Sequence, residues 1–187
     1  GGCYATAFLP VLKCRAAIAR AADERMSDES RVEALLAAAE DDPFSADPWV
    51  EMGRLSVGHL KRDPDSEFWG REFLRATTMI VSLRGNSSAM WREMGDWSRE
   101  LYELRPSEVM AARVVQLRRG AAYLYPNSAV VQAEYALALE AGDNRTAARR
   151  AAARALELDR LTPHADKKLS PELKSQLEKL LDAAKSR

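Results

Sequence analysis

Residues Asn86 to Leu104, NSSAMWREMGDWSRELYEL, form a segment whose pattern recurs before and after it in the chain. Three marker positions recur, upstream at an offset of 42 and downstream at an offset of 41: Trp49, Met52, Gly53; Trp91, Met94, Gly95; and Gln132, Tyr135, Ala136. Apolar residues fall every three or four positions in this segment, which predicts an amphipathic helix. Such a helix must bury its stripe against a partner, so its recurrence indicates a stack of helical repeats.

A second apolar stripe follows each of the first two markers. Five positions spaced by 4, 3, 4 and 3 residues recur at an offset of 41: Trp69, Phe73, Ala76, Ile80, Leu83; and Met110, Val114, Leu117, Ala121, Leu124. Every one is apolar, and this spacing places them on one face of a helix. Each unit is therefore predicted to be a pair of helices.

These features resemble the tetratricopeptide repeat (TPR), a helix-turn-helix unit with Trp in its first helix and small residues in its second. A Pro or Gly lies six residues before each marker, at Pro43, Gly85 and Pro126. The last unit is most similar to the family, with Ala148 and Ala152 at small positions. The two earlier units are longer by about one turn per helix. The resemblance implies an all-α, right-handed α-solenoid of TPR-like helix pairs.

The repeats and their flanking segments divide the chain into three parts. Three TPR-like repeats are expected at 43–84, 85–125 and 126–160, within a repeat region at 43–160. The N-terminal helices occupy 1–42, and 161–187 holds a loop and a C-terminal capping helix. The capping helix begins with a Ser170 cap and Pro171 in its first turn. Its apolar stripe consists of Leu173, Leu177, Leu180, Leu181 and Ala184.

Other helix starts also have local signals. Ser27 or Ser30 is expected to cap the helix that follows it, as is Asp65 or Ser66. The segment LRPSE at 104–108 supplies the same break and cap one repeat later, with Pro106 placed for a helix start.

Charge and motif content disfavour several classes of function. The 28 basic and 28 acidic side chains cancel, so no overall field recruits nucleic acid, and nucleic acid is not a predicted partner. Motifs for nucleotide binding, zinc proteases and serine hydrolases are absent from the sequence. No catalytic residue, metal or cofactor is predicted. An enzyme in its own right would need a convergent polar pocket that no motif indicates.

The histidines and cysteines are also interpreted as structural. His59 lies on an apolar helix face and is expected to be packed and hydrogen-bonded. His164 is expected to brace or cap a loop. Cys3 and Cys14 would lie about 16 Å apart along one helix, too far for a disulfide.

The opening GCYATAFLPVLKC is apolar, contains Pro10 and is followed by basic residues. At about a dozen apolar residues it is too short to span a bilayer, which needs about 20. Two interpretations remain open: a packing helix, or the tail of a transmembrane helix whose beginning is missing.

A second resemblance favours the transmembrane tail. The segment TAFLPVLKCRAAIARA, the repeats and ALELDRLTPHADKKL are similar to the C-terminal region of bacterial O-antigen ligase or polymerase-like membrane proteins. In those proteins the glycan chemistry belongs to the multispanning part, so no catalytic residue carries over. The resemblance implies a parent protein that is associated with a membrane, with this segment soluble. It does not assign the segment to one side of the membrane.

The TPR resemblance implies that the first helices line a partner-binding groove. The charged candidates are Arg54, Arg92, Asp96, Arg99 and Glu140. Other positions that match groove-facing sites of the family are Asp47, Val50, Val57, Glu100, Ala133 and Leu137. The asparagine and lysine set of a carboxylate clamp is absent from these positions, so a chaperone-tail function is not supported.

The groove arginines are expected to meet carboxylates of a partner, since guanidinium offers bidentate geometry. The alternative is plain surface charge. The predicted function is a non-catalytic interaction module that binds a protein, a peptide or an anionic glycan. It would belong to a membrane protein of cell-surface polysaccharide ligation or polymerisation; the alternative is a free-standing soluble scaffold.

Overall fold

The computed structural model describes residues 2–23 and 25–182, with side chains from residue 9 onward. Helix is the only regular structure in this part of the chain. It forms two compact units, Gly1–Gly85 and Asn86–Arg187. Their boundary coincides with the link between the first two full repeats.

The described residues of the first unit form four helices. They are α1 (Gly2–Ala21), α2 (Asp28–Asp41), α3 (Asp47–Leu60) and α4 (Glu67–Arg84). Each odd-numbered helix packs on the next, so α1 pairs with α2 and α3 with α4. Further contacts join α1 and α2 to α3.

In the second unit, the residues described up to 182 form five helices and a short 3₁₀ turn at Ala165–Lys167. The helices are α5 (Ser88–Leu104), α6 (Glu108–Leu124), α7 (Ala129–Ala141), α8 (Arg145–Leu161) and α9 (Pro171–Asp182). Two antiparallel pairs, α5 with α6 and α7 with α8, pack through α6 and α7. Helix α9 contacts α7 and α8.

The predicted second-helix stripes are buried at their centres. Phe73, Ala76 and Ile80 have no exposed surface, and neither do Leu117 and Ala121 one repeat later. The outer positions Leu83, Met110 and Leu124 are half-buried. A stripe that repeats in the sequence therefore makes the same kind of contact in both units.

The last helix pair is held together by small residues. Alanines fill the contact between α7 and α8, and Leu177 and Leu180 of α9 cover the end of this core. Ala184, which the sequence also assigned to the α9 stripe, lies outside the described residues. The buried carboxylate of Asp159 accepts a hydrogen bond from the Leu169 backbone N–H at 2.7 Å, which fixes the loop before α9.

Serine caps the starts of four helices in register with the repeat. Ser66 and Ser107 are one repeat apart, as are Ser87 and Ser128, and each accepts a backbone N–H three positions further along the chain. The alternatives at the two ambiguous caps resolve to Ser27 and Ser66. The cap predicted within LRPSE is Ser107, and α6 begins at Glu108 because the Ser107 side chain accepts from the Met110 N–H. Pro106 lies just before this cap and not in the first helical turn.

The N-terminal stretch folds as one helix that passes through Pro10. From residue 9 onward, Cys14 and Ala17 of α1 pack on Ala38 of α2, while Leu9 and Leu12 are exposed. Burial raises the pKa of the Cys14 thiol, which disfavours the reactive thiolate. The Cys3 side chain lies outside the described side chains. None of the helices in the described ranges is long and apolar enough to cross a membrane.

Candidate functional site

The second unit contains a cavity of about 560 Å³ lined by α5, α6, α7 and the start of α9. We call it the groove. Its apolar side chains include Val114, Leu137, Ala138, Ala141 and Leu173. Its charged side chains are Asp96, Arg99, Glu103, Arg118, Glu134 and Glu172. An apolar surface bordered by charged groups is the usual composition of a site that takes up a ligand segment.

The structure brings together only some of the predicted site residues. Asp96 and Arg99 both line the groove, as does Leu137. Arg92 contacts the groove indirectly, through Glu134. Glu140 is exposed on α7 but does not line the groove.

Three of the apolar positions predicted to face the groove do not do so. Val50 and Val57 of α3 and Ala133 of α7 are all buried. Their short side chains pack against neighbouring helices. The family pattern alone did not distinguish these packed positions from the positions that face the groove.

Arg118 on α6 is the centre of an ion-pair network in the wall of the groove. Its side chain is only 3% exposed. One terminal nitrogen donates to Asp96 Oδ1 at 2.5 Å, and the other donates to Glu134 Oε2 at 3.0 Å and to the Arg92 carbonyl at 3.2 Å. A buried guanidinium needs such partners, because an unpaired buried charge is strongly unfavourable. The network therefore ties α6 to α5 and α7.

Arg92 completes this network from α5. Its Nε and a terminal nitrogen donate to the two carboxylate oxygens of Glu134, at 2.9 and 2.5 Å. These hydrogen bonds raise the pKa of Arg92 above its usual range. The carboxylate partner of Arg92, expected from another molecule, is thus supplied by this chain itself.

Gly95 makes room for the network. A methyl group at this position would lie 3.0 Å from Arg118 Nε and 3.1 Å from its Cδ and Cζ. The marker glycine of the second repeat therefore allows the Arg118 side chain to cross α5. Nothing in the repeat pattern indicated this, because the corresponding second-helix position one repeat earlier is Thr77.

Arg99 is also paired. Its terminal nitrogen donates to Glu103 Oε1 at 2.7 Å, and both side chains are about half exposed. Both arginines that line the groove, Arg99 and Arg118, thus already face carboxylates. A carboxylate of a partner would have to compete with Glu103 or Glu134 for them.

A second cavity, of about 870 Å³, lies beside the groove and is called the notch. Its apolar side chains include Ala111, Ala112, Val115 and Leu139, and it borders the turn Gly142–Asn144. Tyr102, Ala111 and Ala141 line both cavities, so the notch adjoins the groove at Tyr102.

Helix lengths differ beside the notch. Helices α5 and α7 start at corresponding positions of successive repeats, but α5 has 17 residues and α7 has 13, a difference of about 6 Å in length. The notch lies near the C-terminal ends of both helices, where Tyr102 of α5 and the turn Gly142–Asn144 after α7 line it.

Arg54 belongs to a different cavity, of about 810 Å³, within the first unit. It is paired with Glu51 at 2.7 Å. His59 lines the same cavity and stacks on Trp69, with ring centroids 4.0 Å apart. Its Nε2 lies 3.1 Å from Asp28 Oδ1. The packed, hydrogen-bonded role predicted for His59 is confirmed, whereas the His164 side chain makes no cap hydrogen bond.

The repeat pattern did not identify four residues that line the groove: Arg118, Glu134, Glu172 and Gln176. One signal was present for Arg118: it adjoins Leu117 in the buried stripe of α6, where a charged residue needs a partner. Within the described residues, no group of three or more His, Cys, Asp or Glu side chains is arranged to hold a metal ion.

Comparison with known proteins yields matches only among solved structures. No family model and no curated protein matches the chain. The structure of MamA protein has a TM-score of 0.51 at 11% identity, over 97% of this chain and 87% of that one. The thermophilic TPR protein TTC0263 of Thermus thermophilus has a TM-score of 0.48 at 14% identity, over 94% of this chain and 82% of that one. At this identity the likeness to MamA shows the fold alone, and the predicted all-α stack of helix pairs is confirmed.

Proposed function

We propose that the protein is an interaction module whose second unit binds an extended peptide segment of a partner protein in the groove. The observation that carries this proposal is the groove itself, with apolar side chains beside charged ones on helices α5, α7 and α9. Leu137 and Leu173 offer apolar contact, while Asp96 and Glu172 offer polar contact at its border. A concave site with this composition suits a segment that presents alternating side chains.

Rigidity of the groove supports the proposal. The Arg118–Glu134 pair joins α6 to α7, the Arg118–Asp96 pair joins α6 to α5, and Leu177 anchors α9 against the core. A site that is already formed before binding loses less conformational entropy when the ligand arrives. Binding is therefore expected to leave the helices where they are.

A display library of random 12-residue peptides tests the proposal. Peptides enriched on the full chain should lose at least tenfold in affinity, about 1.4 kcal/mol, when Gln176→Arg places a long side chain in the groove. Gln176 is exposed and lines the groove, so this change removes no core contact. Fluorescence anisotropy with a labelled peptide measures the affinity.

The control is Ser175→Arg, an exposed position on the same helix outside the groove. It adds the same charge and should leave affinity within twofold. Equal loss in both variants would point to a general charge effect, and no enrichment at all, or enrichment insensitive to Gln176→Arg, would overturn the groove as the binding site.

The O-antigen ligase-like membrane protein suggested by the sequence remains a prediction. If it is right, a blot of fractionated native cells should show this segment in the membrane fraction, far above its 20.8 kDa. A soluble band near 20.8 kDa would contradict it and favour the free-standing scaffold. The anionic glycan remains the alternative ligand, and it should fail to displace an enriched peptide because the groove arginines are already paired.

A further inference from the structure

We infer that the peptide segment is cationic and apolar: a Lys or Arg side chain binds at the acidic border of the groove, and an apolar side chain about three residues away enters the notch. This inference rests on the proposed function, since it names the chemistry of the segment that the groove takes up. It reverses the expectation from the sequence, in which the arginines were to receive an acidic partner.

The charges of the groove carry the first step. Four carboxylates and two guanidinium groups line it, so acid is in excess by two. If Arg92 is also counted, which pairs with Glu134 from outside the groove, the carboxylates still exceed the guanidinium groups by one. The groove therefore attracts a cation before any specific contact forms.

The hydrogen bonds show which carboxylates are open. Both oxygens of Glu134 are taken by arginines. Asp96 accepts from an arginine through Oδ1 alone, and Glu103 accepts through Oε1 alone. Both side chains are about half exposed. Glu172 is exposed and has no ion-pair partner among the residues that the structure describes. An incoming cation can bind among Asp96, Glu103 and Glu172 without displacing an existing pair.

The apolar part of the segment is assigned to the notch. Ala111, Ala112 and Val115 offer small side chains there, and the cavity is larger than the groove. A Leu or Met side chain that leaves the groove past Tyr102 would cover this surface. Burial of such a side chain is worth roughly 1.5–3 kcal/mol when complete, which makes it a strong anchor.

The spacing follows from the geometry of α5. Asp96 and Tyr102 are six residues apart on one helix, about 9 Å along its axis. An extended chain advances about 3.3 Å per residue, so it covers this distance in about three residues. The expected pattern is a cationic residue, two spacers and an apolar residue, in one chain direction or the other.

Synthetic peptides test the pattern. The probes are blocked ten-residue peptides with a central Lys-Ala-Ala-Leu or the reverse Leu-Ala-Ala-Lys, in an Ala-Ser background. We expect one of them to bind the full chain at least tenfold more tightly than the peptide with Glu in place of Lys, and than the peptide with Ser in place of Leu. Affinity should fall with added salt, as a charge-assisted contact requires.

Two variants of the protein assign the anchor. Ala112→Phe fills the notch from an exposed position, and it should abolish the advantage of Leu over Ser while retaining the preference for Lys. Val109→Phe, on the exposed surface of the same helix outside the notch, should change neither.

The outcomes separate the inference from the proposed function. Tighter binding of the Glu peptide, with loss in Gln176→Arg, overturns the inference and leaves the groove as a peptide site. The inference is also overturned, and the groove remains a peptide site, if the library peptides that bind the groove lack a cationic residue near an apolar one. Absence of any peptide whose binding depends on position 176 overturns the proposed function together with the inference.

Discussion

Replacing Arg118 with Ala is expected to lower the free energy of unfolding by about 3 kcal/mol, at the low end of the range for breaking a buried ion pair. The Arg118 side chain is 3% exposed and donates to Asp96, Glu134 and the Arg92 carbonyl. Its removal leaves Glu134 with one partner in a half-buried site and opens a void beside Gly95. Because Asp96 is 46% exposed and regains water, the full penalty is not expected. Urea denaturation followed by circular dichroism measures the change.

The neighbouring Arg119 supplies the matched control. It is exposed on the same helix, and Arg119→Ala should shift stability by less than about 0.5 kcal/mol. Similar stability of the two variants would show that the network around Arg118 does not hold α5, α6 and α7 together.

Gly120→Ala should also destabilise the protein, by about 2 kcal/mol, although alanine is the better helix former. A methyl group on Gly120 would overlap the Cε3, Cζ3 and Cδ2 atoms of the Trp91 ring. That ring packs against Ala121, Ala122 and Val131, so it has little room to move. Thermal unfolding and the near-ultraviolet circular dichroism of tryptophan would report the loss of stability and the shifted ring.

The control for this change is Gly70→Ala on α4. A methyl group there meets nothing within 4 Å, so the higher helix propensity of alanine should stabilise the protein by up to about 1 kcal/mol. The two substitutions are thus expected to act in opposite directions. A stabilising Gly120→Ala would mean that Trp91 is not packed over α6 as the structure has it.

The helix pairs were predictable because their signal is periodic and local. The stripe through Phe73 and Ile80 repeats at Val114 and Ala121, and a repeated stripe fixes which face is buried. The cap before α6 was harder, since Pro106 and Ser107 are both acceptable start signals. Only the hydrogen bond from Met110 to Ser107 distinguishes them.

The groove was only partly predictable. Its location on the first helices follows from the family resemblance, and Asp96 and Arg99 do line it. The pairing of Arg92 with Glu134, one repeat further along the chain, does not follow, because it depends on how two repeats pack. The buried path of Arg118 over Gly95 depends on the same packing.

The notch could not be predicted for a related reason. Repeat lengths in the sequence show that the first helix pair of the second unit is long, but they do not show where a cavity remains along it. The structure places the notch near the C-terminal ends of α5 and α7. The predicted chemistry of the partner changed with it, from acidic to cationic and apolar.

The central claim, that the groove of the second unit binds a peptide, is tested most directly by nuclear magnetic resonance. A ¹⁵N-labelled full chain is titrated with the tightest peptide from the display library, and amide shifts are recorded. The account predicts that the largest shifts fall on groove residues such as Arg99, Ala138 and Gln176, with the core amides of Phe73 and Ile80 unmoved. Shifts confined to residues outside the groove, or none at saturating peptide, would contradict it.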